Sequence, residues 1–367
     1  RGVLLSCLTW SGWAWGPGWR RYWSNLWAGP VLLKGGKSMR DQMMDIADQI
    51  LNGGVINREE AYRLTQIEQR DLPYLLAAAD SIRQRFQGEK VHLCSILNGR
   101  SGRCSEDCSY CAQSVHHQTG VAVYPLLSKA EILRHAQAAE AAGVSHFSIV
   151  LSGRGMDETD ERATFQRVIE AYQAIKKSTK LQLCASLGSL NLEQARQLKA
   201  VGVQRYHHNV ETSREYYSTI CRTHSYTERT RTISEAQEAA SAKCCDGRIG
   251  MGATLSQRLD MAFELRELSI GCVPINILNP IAGTRLEAAP ALPPLEILKT
   301  IALFRFVLPQ AVIRTAGGRE KNLRDLQAMA LLGGANGMLI GGYLTTNGRD
   351  SQLDIKMIND LGLKVAG

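Results

Sequence analysis

The spacing of apolar residues changes period near residue 91. Between residues 40 and 90, "DQMMDIADQIL", "REEAYRLTQ" and "LPYLLAAADSIRQRF" repeat apolar positions at three and four, which predicts helices. From Val91 onward, short apolar runs alternate with longer helical patterns. The runs "VHLCSILN", "HFSIVLSG", "LQLCASLG", "VQRYHHN", "AKCCDGRIG", "VPINILNP", "AVIRTAG" and "GMLIGG" read as strands. Patterns such as "KAEILRHAQAAEAAG", "LEQARQLKAVG" and "PLEILKTIALFRFVL" lie between them, and several end on glycine, as at Gly143 and Gly202, where a left-handed cap is wanted.

Eight strand–helix units argue for a parallel α/β sheet, and eight is the number that closes a (β/α)8 TIM-type barrel. A doubly wound open sheet is the alternative. No Gly/Ser/Pro linker interrupts residues 91–367, so the expected organisation is one barrel domain behind a helical extension over residues 39–90. Polar residues gather at the strand ends: a cysteine cluster after the first, then Ser152, Cys184, Asn209 with Glu211, Cys244 with Cys245, Asn276 and Arg314. In a barrel those ends converge on one face.

Residues 1–38 stand apart, with all six tryptophans between Trp10 and Trp27, five basic residues and no acidic one. They show neither helical nor strand period, and "KGGKS" before Met39 is encodable by a purine-rich ribosome-binding sequence. They are expected to be a disordered, non-native translated leader; a Trp-rich membrane-surface anchor is the rival. Without them the formal charge falls from +8 to +3, which removes any basic block suited to nucleic acid. No apolar run is long enough to span a membrane, and no secretory signal precedes the nine cysteines after Met39. Thiolate ligation of metal is therefore the expectation, rather than a disulfide framework, and the location expected is cytoplasmic.

"RCSEDCSYCAQS" places Cys104, Cys108 and Cys111 at CxxxCxxC spacing on a loop after a strand. Three thiolates can hold three irons of a 4Fe-4S cluster and leave the fourth open to the amino and carboxylate groups of S-adenosylmethionine. Tyr110 is the aromatic expected beside adenine. A closed zinc site would need a further ligand, for which His116 and His117 are candidates.

"LNGRSGRCSEDCSYCAQS" with the following "TG", then "RYHHNVETS", "SYTER", "VPINIL" and "VIRTAGGRE", resembles the biotin synthase family of radical S-adenosylmethionine enzymes in order and spacing. The resemblance covers nearly all of residues 91–367. It implies sulfur insertion into dethiobiotin through hydrogen abstractions by a 5′-deoxyadenosyl radical. It also implies an electron donor such as flavodoxin or ferredoxin, and a homodimer. Asn209 and Glu211 match the pair that holds the cosubstrate ribose, with Asn209 also near substrate; the family has Asp where Glu211 stands. Ser152 is placed at the cofactor. Arg229 matches the partner of the methionine carboxylate, for which a planar fork suits, and Asn276 matches a contact to the ureido ring.

The second metal site departs from the family pattern, in which three cysteines and an arginine hold a 2Fe-2S cluster. Cys184 and Arg314 match two of the four, but the second strand offers Ser148, a poor ligand for iron. The fifth strand offers Cys244 and Cys245, both expected to reach the cavity through a bulge or the strand's end. Cys184, Cys244 and Cys245 are thus the expected ligands of a larger, four-iron auxiliary cluster, with 2Fe-2S the alternative and a metal-free core another. Arg314 is expected to give charge and hydrogen bonds to cluster or substrate. Cys94, Cys221 and Cys272 read as buried apolar residues. The rival functions are a sibling radical enzyme, such as the hydrogenase maturase or methylornithine synthase, and a non-catalytic iron–sulfur protein.

Overall fold

The computed structural model describes residues 37–156, 161–239 and 242–366. The expected leader falls outside the described residues except at Lys37 and Ser38. Ser38 belongs to the fold: its hydroxyl accepts from the amide of Asp41 and caps the Met39–Leu51 helix, while the Asp41 side chain returns to the Ser38 backbone. The Arg58–Leu64 and Leu72–Gln87 helices follow, so the three predicted helical patterns are all present.

Ten strands are described: β1 (Lys90–Arg100), β2 (His146–Leu151), β3 (Gln182–Ser186), β4 (Val203–His207), β5 (Ala242–Cys244), β6 (Gly247–Ile249), β7 (Cys272–Ile277), β8 (Val312–Thr315), β9 (Gly337–Leu339) and β10 (Lys364–Val365). Every described ladder pairing is parallel. β5 and β6 form one interrupted stave, both pairing with β7. β9 pairs back to β1 through Cys94 and Leu339, which closes eight staves into a barrel. The open-sheet alternative is thereby set aside. β10 adds a short strand beside the start of β1.

The helix starts follow from sequence. Ser128, Asn191, Ser225 and Thr254 each accept from the third helical amide, and Glu131, Gln194, Glu228 and Gln257 each reach back to the cap residue. The Pro294–Val307 helix is buried almost all round because the Leu72–Gln87 helix lies over it. Among the described residues, no helix is long and apolar enough to cross a membrane.

One buried cation holds the C-terminal side together. Arg305 is fully buried and donates to the carbonyls of Gly334 (2.8 Å), Pro309 (2.9 Å) and Ala311 (2.8 Å) and to Asn336 Oδ1 (2.8 Å). Asn336 Oδ1 also receives the Ile313 amide of β8, so the guanidinium fixes the turn into that stave. Arg305→Met should cost about 3 kcal/mol, because several buried acceptors lose their donor at once. A chemical denaturation midpoint that does not move would show that the web is dispensable.

Candidate active site

The cysteine loop leaves β1 on two left-handed residues, Gly102 (φ 77°) and Arg103 (φ 52°). It closes on itself through Cys104 N to Gln113 O (2.9 Å) and Val115 N to Cys104 O (2.8 Å). The segment Ile220–His224 then clamps it. Ser109 donates its amide (2.9 Å) and hydroxyl (3.0 Å) to Ile220 O. Asp107 Oδ1 accepts from the amides of Arg222 (2.8 Å) and Thr223 (3.3 Å), and Oδ2 from Arg222 Nε (3.0 Å). Burial opposes the Asp107 charge, yet the Arg222 amide and guanidinium hold the carboxyl well below the usual range.

Cys104, Cys108 and Cys111 lie on this loop, with burial pushing the Cys111 thiol up to about 11. Cys221 Sγ lies 3.7 Å from Cys108 Sγ and 2.8 Å from His224 Nδ1, and His224 Nε2 in turn meets Arg229. Contact with Cys108, then His224, brings Cys221 down to about 4. Cys108, Cys221 and His224 form the one group of three ligand atoms, among the described residues, close enough to share a single ion. A zinc ion there would leave Cys104 and Cys111 unused. His116 Nε2 and His117 Nδ1 are turned to the carbonyls of Ser105 (3.0 Å) and Cys111 (2.8 Å). Sequence reasoning passed over Cys221 and His224; their CxxH spacing just before "SYTER" was the available signal.

The Ser152 hydroxyl donates to Gly102 O (2.7 Å), which steadies the start of the loop. Arg229 is half-buried on the Tyr226–Glu238 helix and donates to Tyr217 Oη (3.1 Å), with Cys108, Glu211 and Tyr110 nearby. Glu211 is buried at φ 64°, a costly backbone position for a residue with a Cβ. Its Oε2 has no hydrogen-bond partner, since Arg248 Nε stops 3.8 Å away and is itself unpartnered. The Arg248 guanidinium lies over the Tyr110 ring, 4.3 Å from its centre.

A cavity of about 200 Å³ runs down the barrel from Tyr110 and Cys111 past Asn209 and Asn276 to Cys94 and Arg314. Asn276 accepts from the Gly317 amide (2.9 Å) and donates to Asp246. Burial, then Glu211, pushes the Asp246 carboxyl well up. Asp246 and Arg248 are further lining residues that sequence reasoning did not assign, although every second position of "CCDGRIG" points inward once Cys244 does.

At the cavity floor, Cys184 and Cys244 are both buried, and Arg314 acts electrostatically on both. Cys245 does not join them. Alternation is kept across the break between β5 and β6, so Cys245 packs among the apolar side chains outside the barrel, near Tyr226. The expectation that a bulge turns both cysteines inward is corrected on that ground. Cys94 and Cys272 are buried, as read from sequence, and lie at the floor beside Arg314. Burial lowers His146 and His207 to about 3, with both guanidiniums adding to the effect, so the floor's positive charge comes from Arg205 and Arg314.

Residues 100–265 match the Radical SAM superfamily, and residues 274–364 match the Biotin and Thiamin Synthesis associated domain. With three loop thiols at the mouth of a parallel barrel, the chain is a radical S-adenosylmethionine enzyme. It is 49% identical over 327 residues to a biotin synthase of Carboxydothermus hydrogenoformans, a match covering 89% of this chain and 100% of that one. It is 53% identical over 313 residues to a biotin synthase of Heliobacterium modesticaldum, covering 85% and 95%. The chain belongs to the biotin synthase family. Among solved structures, a methylornithine synthase aligns with a TM-score of 0.77 at 19% identity, covering 88% of this chain and 97% of that one. A FeFe-hydrogenase maturase from Carboxydothermus hydrogenoformans aligns at 0.73 and 18%, covering 88% and 79%. At those identities the likeness is one of fold alone.

The Asp107 clamp carries a prediction. Asp107→Ala should cost about 1–3 kcal/mol and speed amide exchange across residues 104–111, because Arg222 and Thr223 lose their acceptor. A carboxyl held low stabilises above its unfolded value near pH 4, and that contribution drains away as the pH falls below it. Hydrogen exchange in the loop should therefore rise on acidification in the parent more than in the variant.

Proposed function

We propose that the chain inserts sulfur into dethiobiotin to form biotin, with S-adenosylmethionine bound at the top of the barrel and an auxiliary iron–sulfur cluster at its floor. The observation that carries this reading is the continuous cavity, about 200 Å³, which touches Cys111 of the cysteine loop at one end and the buried Cys94 and Arg314 at the other. One small substrate can meet both groups there.

The residues fit the groups the family implies. Cys104, Cys108 and Cys111 would hold the 4Fe-4S cluster. The unpartnered Glu211 Oε2 suits ribose hydroxyls, with Asn209 beside it, and Tyr110 would flank the adenine. When bound, cluster and cosubstrate supply the radical that abstracts hydrogen from carbon. The protein's share is placement. Arg229 offers a fork to a carboxylate, and the Asp246 and Gly317 contacts lock the Asn276 amide so that it can donate to and accept from a urea. A four-iron auxiliary cluster suits floor thiols that sit on separated staves. Flavodoxin or ferredoxin as electron donor, a cytoplasmic location and a homodimer belong to the same reading.

Two measurements test it. Replacing Cys104, Cys108 and Cys111 together by Ala should abolish formation of 5′-deoxyadenosine from S-adenosylmethionine under reduction; persistence of cleavage would move the site elsewhere. Glu211→Gly relieves the left-handed strain, so it should cost less than about 1 kcal/mol of stability while weakening cosubstrate affinity by about tenfold or more. Unchanged affinity by calorimetry would remove Glu211 from the ribose site.

A further inference from the structure

The floor of the barrel is unusual in its charge. Cys94 on β1, Cys184 on β3, Cys244 on β5 and Cys272 on β7 are all fully buried. Arg314, buried on β8, stands among these four side chains. Among the described residues, no carboxylate forms an ion pair with Arg314. The Nε and Nη2 atoms of Arg314 have no acceptor, and neither does Nη1 of Arg205 on β4. Ser148 Oγ on β2 is likewise buried and unpartnered.

A guanidinium in a dry interior costs several kcal/mol unless an anion and hydrogen-bond acceptors offset it. Thiol sulfurs without a metal are weak acceptors and offset little of that cost. Four thiolates around iron and sulfide supply both, since cluster sulfurs accept hydrogen bonds. A single zinc ion is a poor fit, because no three floor thiols converge as Cys108, Cys221 and His224 do. Stave alternation keeps Cys245 outside the barrel, and Cys221 lies at the other end of the cavity, beside Cys108.

We propose that Cys94, Cys184, Cys244 and Cys272 are the four protein ligands of the auxiliary cluster, and that Arg314 and Arg205 are hydrogen-bond donors to it rather than ligands. This rests on the reading that an auxiliary cluster occupies the floor. It places a β1 thiol and a β7 thiol where the second stave has only Ser148. The two arginines are positioning residues. They balance the cluster's charge and fix its orientation towards the substrate cavity.

The test uses full-length protein carrying the Cys104, Cys108 and Cys111 to Ala substitutions, so that iron at the top site does not contribute. After anaerobic reconstitution it should hold about four irons per chain with matching acid-labile sulfide. Adding Cys94→Ser or Cys272→Ser, changes that keep side-chain volume, should remove more than half of that iron and alter the Mössbauer spectrum. Adding Cys245→Ala should change neither. Metal-free samples of each variant, compared by circular dichroism melting, separate loss of ligand from loss of fold; Cys94→Ala and Cys272→Ala provide a second pair. Full iron and an unchanged spectrum in the Cys94 and Cys272 variants overturn the ligand set. Iron lost on Cys245→Ala overturns it too. A background protein that takes up no iron at all overturns the auxiliary cluster itself, while the top site is judged separately by 5′-deoxyadenosine formation in the parent.

Discussion

A closed parallel barrel imposes one constraint on every stave: successive side chains alternate between the cavity and the helix layer. On the fifth stave this sends Cys244, Asp246 and Arg248 inward and leaves Cys245 among the apolar side chains outside. On the first it brings Cys94 and Ile96 to the cavity, and on the seventh Arg314 and Ala316. A slip of one residue on any of these staves would exchange a chemical side chain for an aliphatic one. The chemistry of the cavity is therefore written in registers, and barrel closure between β1 and β9 fixes those registers around the ring.

The two ends of the cavity differ in charge, and the difference sorts what each can bind. At the top, Glu211 and Asp246 lie close to Arg229 and Arg248, so acidic and basic side chains are mixed there. A zwitterionic ligand with ribose hydroxyls suits that mixture. At the floor, Arg205 and Arg314 face thiols and neutral histidines. That end calls for an anion. Between them stands Asn276, an amide held by Asp246 and the Gly317 backbone.

Much of this is legible in the amino-acid sequence. The alternation of short apolar runs with helices predicts the barrel, because strands buried on both faces read as continuous apolar segments. The cysteine loop announces itself through local spacing. What sequence alone missed depends on long-range contact. Whether Cys244 or Cys245 faces inward turns on the pairing of Cys244 with Cys272, a residue 28 positions away. Cys94 and Cys272 are buried as they look, but only the fold places Arg314 among them and the Ser152 hydroxyl on Gly102 O. Cys221 and His224 gain meaning only when their segment closes over the loop more than a hundred residues before it.

The interruption between β5 and β6 links the two ends of the cavity. Glu211 holds its positive φ because its backbone is captured from the fifth stave: Arg248 N donates to Glu211 O (2.6 Å), and Glu211 bridges to Gly247. A Cβ at Gly247 would stand 2.3 Å from the sulfur of Met261, so the Met261 side chain would have to move to admit one. A regular strand from Ala242 to Ile249 would carry the stave straight on. Breaking it at Cys245 and Asp246 lets β6 meet the Glu211 turn while β5 keeps Cys244 at the floor. The strain at Glu211 is thus sustained by the same irregularity that positions the floor thiol, so the carboxylate at the top and the sulfur at the bottom are set by one local feature of the chain.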